Sequence, residues 1–175
     1  MRHKNIVSSV GSWEDAKLAL QEYGNWVKNA DTKTTVLAAA TSLLISVMAA
    51  NSKMFVATIQ AGSWPSGALS VLLLVFVVAS FLTARCLFAA LTPRTTAASL
   101  DNRFSWPAVA SKAVPPTSYP AETLVAEAWE QCHTLAQTAA AKYRSFYAAL
   151  RWFAVTVVIG AIALVSASWT NAGIA

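Results

Sequence analysis

Charged residues are scarce in this sequence, and their scarcity argues against two broad classes of protein. Aspartate, glutamate, lysine and arginine make up 12% of the 175 residues, whereas soluble domains carry about 25%. A disordered chain needs low hydrophobicity and high net charge, but hydrophobic residues here reach 56% and the mean hydropathy is +0.49. The composition therefore indicates a membrane protein.

Cysteine and histidine are also rare, which removes the residue types on which many sites depend. The two cysteines, Cys86 and Cys132, are far apart in the chain, so we predict neither a disulfide framework nor a metal cluster. The two histidines are His3 and His133, and neither has a metal ligand or nucleophile beside it in a recognisable pattern. Glycine-rich phosphate loops and nucleophile elbows are absent as well. We predict a protein that is not an enzyme and uses no metal or cofactor, with His133 solvated.

Three uncharged runs are long enough to cross a bilayer. They cover residues 34–52, 66–84 and 152–169 and contain 19, 19 and 18 residues. At 1.5 Å per residue each helix extends about 27 Å, close to the thickness of the hydrocarbon layer. We predict three transmembrane helices within a single domain of residues 1–175.

The charges collect in two of the segments outside these runs. Five basic residues lie in residues 1–33 and seven in residues 85–151, with Lys53 the remaining one, and every acidic residue lies in the same two segments. By the positive-inside rule, residues 1–33 and 85–151 are cytoplasmic, and residues 53–65 and the C-terminus lie outside. This topology explains the net charge of +5 without a nucleic-acid partner.

Two helices are predicted in the cytoplasmic segments. Apolar residues recur at helical spacing over residues 12–31 and from residue 121 onward, whereas residues 105–120 contain four prolines and favour a loop. The second helix continues into the last span, so residues 121–169 form one long helix. We predict an all-α membrane protein with three transmembrane helices and a cytoplasmic helical stalk, in which residues 12–33 pack against residues 121–151. On this stalk Glu122, Glu127 and Glu130 are expected to be solvated helix surface.

Small residues form a narrow seam in the first predicted span. Ala38, Ser42, Ser46 and Ala50 repeat every four residues, and Gly160 offers a similar close approach in the third span. Such residues let helices pack closely, within one chain or between copies. The interiors of the spans carry no charge, so a conducting path would need several copies or a lipid defect.

Four short stretches, taken in order, resemble a known family. They are ADTK at residues 30–33, LTPR at 91–94, NRFSWPAVAS at 102–111 and AKYR at 141–144. Their order, spacing and position relative to the spans are similar to those of the transmembrane effector proteins of Pycsar antiphage systems.

The resemblance implies a function that composition does not show. A companion pyrimidine nucleotide cyclase would make cCMP or cUMP on infection, and the effector would respond in the bacterial inner membrane by oligomerising and impairing the lipid bilayer. The sequence shows no separate β-barrel domain for a cyclic nucleotide, so the helical stalk or a partner would sense it. Two alternatives are a membrane scaffold that docks a soluble partner and a constitutive holin-like pore.

The stretches that carry the resemblance also supply the candidate site residues. Basic side chains could bind the nucleotide phosphate, and aromatic rings could stack on the pyrimidine; the candidates are Arg94, Lys142, Arg144, Tyr143 and Trp106. Positive-inside charge alone is the alternative explanation of the basic residues. Asp31 and Lys33 would form an ion-pair switch, with Arg94 or Arg144 as the partner of Asp31, or would mark the membrane boundary only.

Overall fold

The computed structural model describes residues 2–62, 64–92, 102–111 and 120–172, and no strand occurs among them. The helices are α1 (Arg2–Ala50), α2 (Ser52–Gln60), α3 (Trp64–Leu91), α4 (Trp106–Ala110) and α5 (Ala121–Ala172). This confirms the predicted all-α fold class.

Three of these helices are long and apolar enough to cross a membrane. The stretches concerned are Ser12–Ala50 in α1, Ser66–Leu91 in α3 and Glu122–Ala172 in α5. The last two contain the predicted spans 66–84 and 152–169, and α1 ends two residues before the end of the predicted span 34–52. Inside hydrocarbon every backbone N–H and C=O needs a partner within the protein, which a continuous helix supplies. The prediction of three transmembrane helices is confirmed.

The connection between the first two spans contains a helix that the sequence analysis did not predict. Residues 53–65 were treated as a short connection, but α2 occupies most of them. At the end of α1 the N–H of Asn51 is shared between the carbonyls of Val47 and Met48. No proline or glycine follows until Gly62, whose φ of +65° ends α2 in the left-handed region that glycine adopts without strain.

The chain divides into two compact units. The first contains Met1–Asp31 and Thr92–Tyr143, and the second contains Thr32–Leu91 and Arg144–Ala175. All three predicted spans fall in the second unit, and most of the polar sequence falls in the first. That residues 1–175 form a single domain stays a prediction.

The second unit has two clusters of buried apolar side chains. One contains Met48, Phe55, Leu69, Phe76, Ala163 and Ala167, and the other contains Leu37, Leu87 and Ala149. Gly160 lies against the first cluster. A β-carbon built on Gly160 would be 3.2 Å from Phe76 Cε2 and 3.6 Å from Met48 Sδ. The Phe76 ring therefore occupies space that any larger residue at position 160 would need.

Replacing Gly160 by leucine should destabilise the second unit by about 1–3 kcal/mol, the usual cost of overpacking. Thermal unfolding of the detergent-solubilised chain, followed by circular dichroism, measures this loss. Gly67→Leu is the matched control, because no atom lies within 4 Å of its built β-carbon. Equal melting temperatures for the two variants would contradict the assigned contact.

The small-residue seam of the first span is mostly exposed. Ala38 packs against the second cluster, but Ser42, Ser46 and Ala50 are exposed. The Ser42 hydroxyl donates to the Ala38 carbonyl at 3.0 Å, and the Ser46 hydroxyl donates to the Ser42 carbonyl at 2.9 Å. Both hydroxyls are thus satisfied within their own helix, and this face stays open to lipid or to another copy.

Candidate functional site

The first unit is built on a close contact between α1 and α5. Small residues line this contact, which we call the helix-pair seam, and none of them is more than 5% exposed. They are Ala16 and Ala30 on α1, and Ala128, Cys132 and Ala139 on α5. Their short side chains let the two backbones approach. The Cys132 thiol donates to the Ala16 carbonyl at 3.8 Å, and burial raises the pKa of this thiol. The N-terminal helix therefore packs on the long helix, as the sequence predicts, while a cytoplasmic location stays a prediction.

An ion pair lies further along the same seam. The Lys142 ammonium donates to a carboxylate oxygen of Asp31; the Lys142 side chain is 7% exposed and the Asp31 side chain 42%. Ala16 pairs with Cys132 and Asp31 with Lys142, so both helices advance in the same direction and the pair is parallel. Lys142 reaches the seam because it follows Ala139 by three residues and shares its face of α5.

The structure therefore gives Asp31 a partner other than the two that the sequence analysis proposed. Arg144 is exposed and lies two positions beyond Lys142, on a different side of the helix. Arg94 lies outside the described residues. Lys142 could have been identified as the partner of Asp31 from its place in the apolar helical stripe of α5, because a lysine buried in such a stripe needs a carboxylate partner.

The remaining candidate residues do not gather at one point in the structure. Lys33 is exposed. Tyr143 is half-buried, and its ring centroid is 6.2 Å from that of Trp26, edge-on at 69°. Trp106 is 63% exposed on α4. Contacts of residues 102–103 attach the segment before α4 to α5 at Glu127 and Glu130, which lie about 23 Å and about 18 Å along the helix axis from Lys142.

Asn102 is the most completely buried polar side chain of this attachment, at 0% exposed. Its amide nitrogen donates to the Glu127 carbonyl at 2.8 Å and to Glu130 Oε2 at 3.1 Å. Its amide oxygen accepts from the Phe104 N–H at 2.9 Å. Each polar group of the buried amide thus has a partner, as burial requires.

Arg103 adds an ion pair to the same attachment. Its Nε donates to Glu127 Oε2 at 2.8 Å and its Nη2 to Glu127 Oε1 at 3.2 Å, the two-pronged geometry that guanidinium groups favour. The hydrogen bond from Arg103 holds the pKa of the Glu127 carboxyl below its usual value.

The expectation that Glu127 and Glu130 are only solvated helix surface was therefore wrong. The two residues are three apart and share one face of α5, and that face receives the segment 102–111. The sequence contained a weak indication that residues 102–111 have a structural role, because one of the stretches that carry the family resemblance begins at Asn102.

The contribution of Glu127 to stability should disappear in acid. A carboxyl whose pKa is lowered by folding stabilises the folded state above its unfolded pKa, about 4.3, and loses this contribution as the pH falls through the lower folded pKa. Wild type should exceed Glu127→Gln in free energy of unfolding by about 0.5–1 kcal/mol at pH 6, the upper part of the range for ion pairs near a protein surface, because the Arg103 and Glu127 side chains are 23% and 18% exposed. Thermal melts between pH 6 and pH 3 test this. A difference that stays constant over that range would contradict the assignment.

The segment 102–111 is ordered and contacts both helices of the pair, although the sequence favoured a loop from residue 105 onward. The Trp13 and Phe104 rings lie 6.0 Å apart, and Ala108 is fully buried. Pro107 lies in the first turn of α4, where its missing N–H needs no partner. The loop predicted from proline density over residues 105–120 is wrong for residues 106–110, which form α4, and residues 112–119 lie outside the described residues.

A groove of about 280 Å³ opens between the two helices of the first unit. Tyr23 on α1 and Trp129, Cys132, His133 and Ala136 on α5 line it. His133 is exposed, as predicted, and its Nε2 lies 2.8 Å from Gln137 Nε2. The described residues of the lining include two aromatic rings and an imidazole, and none of them is an aspartate, glutamate, lysine or arginine.

Comparison with known proteins identifies a family. A family model described as the Pycsar effector protein domain matches residues 15–167. No curated protein matched the chain, and no solved structure did. The matched stretch includes the ion pair, the segment 102–111 and most of each of the three helices able to cross a membrane. The chain therefore belongs to the Pycsar effector family and is a membrane-protein effector of antiphage defence that depends on cyclic-nucleotide signalling and a companion cyclase.

Proposed function

We propose that this chain is an effector of the bacterial inner membrane that cCMP or cUMP triggers to oligomerise and impair the membrane. The companion pyrimidine nucleotide cyclase would make the ligand on infection, and the infected cell would stop growing before phage mature. The observation that carries this proposal is the family match over residues 15–167, joined to three apolar helices. The chain itself would bind the nucleotide and catalyse no reaction.

The charge distribution supports a cytoplasmic first unit. Twelve of the 13 basic residues lie in residues 1–33 and 85–151, and such residues stay on the cytoplasmic side. This orientation exposes the helical pair to a nucleotide made in the cytoplasm. It places the C-terminus outside.

The Asp31–Lys142 pair is the element that a nucleotide would switch. The Lys142 ammonium is nearly buried and contacts a carboxylate that is partly exposed. An anionic phosphate arriving at this edge of the seam would compete with Asp31 for the ammonium. The positive charges of Arg144, on another side of α5, and of Arg94 would attract the phosphate toward this part of the chain without sharing the contact. Tyr143 beside Lys142 would stack on the pyrimidine, as would Trp106 if its segment moves. Lys33, two residues beyond Asp31, would take up the carboxylate that is released.

The membrane lesion would require several copies. None of the three predicted spans carries a charged residue in its interior, so a single copy supplies no polar path. The exposed seam of Ser42, Ser46 and Ala50 is a surface on which a second span could pack closely.

Dye release from liposomes tests the proposed function directly. The purified full chain is reconstituted in vesicles that hold a self-quenched dye, and cCMP, cUMP or cAMP is added separately. We expect release with one pyrimidine ligand and none with cAMP. Release without any ligand would favour the constitutive pore. Absence of dye release with all three ligands would favour the membrane scaffold that docks a soluble partner.

Removing the charge of Arg144 tests its role in ligand binding independently of membrane insertion. Arg144→Gln should reduce ligand-dependent release at least tenfold while the protein still inserts. Arg151→Gln is the matched control, because Arg151 is also an exposed arginine of α5 and belongs to no proposed site. Equal release by both variants would remove Arg144 from the nucleotide site.

A further inference from the structure

A layer of buried hydroxyl groups lies among the apolar side chains of the second unit. Its members, which we call the hydroxyl layer, are Thr41 on α1, Ser80 and Thr83 on α3, and Thr156 on α5. Each of them is more than nine-tenths buried. In each helix the layer falls between residues of the two apolar clusters. A polar group in the interior of a membrane-spanning helix needs a partner within the protein or a bound molecule, because hydrocarbon supplies none.

The apolar clusters align the three helices and so fix the depth of each hydroxyl. The second cluster joins Leu37, Leu87 and Ala149, and at the first cluster Gly160 lies against Met48 and Phe76. These two sets are separated by the same number of residues along all three helices, with α3 running in the opposite direction. In this register Thr41 lies level with Thr83. Ser80 lies level with Thr156, about 4.5 Å nearer the first cluster.

The three threonines of the layer offer oxygen lone pairs but no proton. Each hydroxyl donates to the carbonyl four residues earlier in its own helix; the acceptors are Leu37 at 2.8 Å, Ala79 at 2.8 Å and Trp152 at 2.9 Å. A hydroxyl has one proton and two lone pairs. A threonine that donates within its helix can therefore only accept from any other group.

Ser80 differs from the threonines, because its proton is not used in this way. Its Oγ is buried and has no hydrogen-bond partner within the part of the chain that the structure describes. Leaving a buried hydroxyl unpaired is unfavourable. Thr83 is three residues further on and shares the buried face of α3, so an acceptor oxygen lies on the adjacent turn. Ser80 thus supplies the one donor that the layer still has.

Charge decides which kind of molecule fits between these oxygens. An anion needs several donors, and the threonine protons are already bound to carbonyls. A cation in a membrane interior needs a compensating negative charge. The sequence of the second unit contains lysine and arginine but no aspartate or glutamate. A small neutral molecule that both donates and accepts meets the requirement, and water does so with the two to four polar partners that a buried water takes.

We propose that the hydroxyl layer is a binding site for a water molecule, which accepts the proton of Ser80 and donates to the oxygens of Thr83 and Thr156. The water joins α3 to α5 within one copy of the chain. It also fixes their register, because a slide of one turn would carry the Ser80 hydroxyl into an apolar cluster. This inference goes beyond the proposed function and does not depend on it.

Water-edited solid-state NMR of the full chain in liposomes tests the site. We expect magnetisation from water to reach Thr83 and Thr156 at least fivefold more strongly than Ser42. Ser42 is the matched control, because it follows Thr41 directly and has nearly the same depth, but it is exposed and its hydroxyl is bonded within α1. Equally weak transfer to all three would overturn the proposal. Equally strong transfer would overturn it as well, since water would then enter through the lipid rather than at a site.

Replacing Ser80 tests whether this residue holds the water. Ser80→Ala should lower the transfer to Thr83 and Thr156 at least fivefold. Ser70→Ala is the matched control, because Ser70 is an exposed serine of the same helix whose hydroxyl donates to the Ser66 carbonyl, and it should leave the transfer unchanged. Circular dichroism checks that both variants keep their helical content. Transfer that Ser80→Ala leaves at the wild-type level would overturn the assigned site.

A double-variant cycle measures the shared water through stability. A water held by Ser80 and Thr156 couples the two residues, whereas two hydroxyls that are satisfied separately act independently. The effect of Ser80→Ala together with Thr156→Val on the unfolding equilibrium constant should differ at least threefold from the product of the single effects. Independent effects would overturn the proposal. Melting temperatures in sodium, potassium and choline chloride should agree, and a rise with sodium or potassium that Ser80→Ala abolishes would overturn water in favour of a metal cation.

Discussion

Replacing Asp31 by asparagine should destabilise the chain by about 2–3 kcal/mol, and replacing Lys142 by methionine should cost about 1 kcal/mol or less. Both changes remove the same ion pair. The difference arises because the Lys142 side chain is 7% exposed and the Asp31 side chain 42%. Asp31→Asn takes the carboxylate from a nearly buried ammonium, the costly way to break such a pair. Lys142→Met keeps the aliphatic stem and leaves a carboxylate that water already reaches.

Chemical or thermal unfolding of the two variants and of the double variant measures this asymmetry. In the double variant Asp31→Asn, Lys142→Met the buried charge is gone, so its stability should return to within about 1 kcal/mol of wild type. A double variant as unstable as Asp31→Asn alone would show that Asp31 acts through other contacts. The same variants also test the switch: Asp31→Asn frees the ammonium and should raise the sensitivity of dye release to the nucleotide.

Replacing Asn102 by alanine should destabilise the first unit by about 2–4 kcal/mol and release the segment 102–111 from α5. The fully buried amide makes three hydrogen bonds, each worth about 1 kcal/mol net, and its removal leaves the Glu127 carbonyl without that donor. Asn102→Asp should cost at least as much, because it sets a second carboxylate beside Glu130. Hydrogen exchange across residues 102–111 measures the release, which should appear as loss of protection.

Trp106→Ala is the control for this prediction. Trp106 lies in the same segment but is 63% exposed, so its removal should leave protection of the backbone unchanged. Wild-type protection in Asn102→Ala would contradict the view that this side chain holds the segment. Growth arrest should fail in Asn102→Ala if the arrangement of the helical pair carries the signal.

Much of the fold follows from composition and periodicity. Uncharged runs of 18 or 19 residues permit few structures other than helices in a bilayer, because hydrocarbon cannot satisfy exposed backbone groups. The helical stripe that contains Ala128, Cys132 and Ala139 likewise predicted a partner for α5. Connections were predicted less well. The segments of α2 and α4 are short, so their stability depends on neighbouring residues more than on their own pattern.

The candidate site could be predicted only in part, for the same physical reason. Residue spacing places Lys142 in the seam, but which of Asp31, Arg144 and Lys142 meet depends on the rotation of one helix against another. That rotation follows from the contact of small residues such as Ala16 and Cys132, which lie 116 positions apart. No local pattern encodes such a contact.

The sequence by itself determined that this protein is a helical membrane protein with polar segments beside its spans, because solvent preference acts on each residue according to its own chemistry. Only the tertiary structure decided that Lys142 meets Asp31, that Asn102 and Arg103 fasten a segment to Glu127 and Glu130, and that Tyr23 and Trp129 line a common groove. These outcomes depend on distances of a few ångströms between side chains far apart in the chain, where burial strengthens each charge and hydrogen bond.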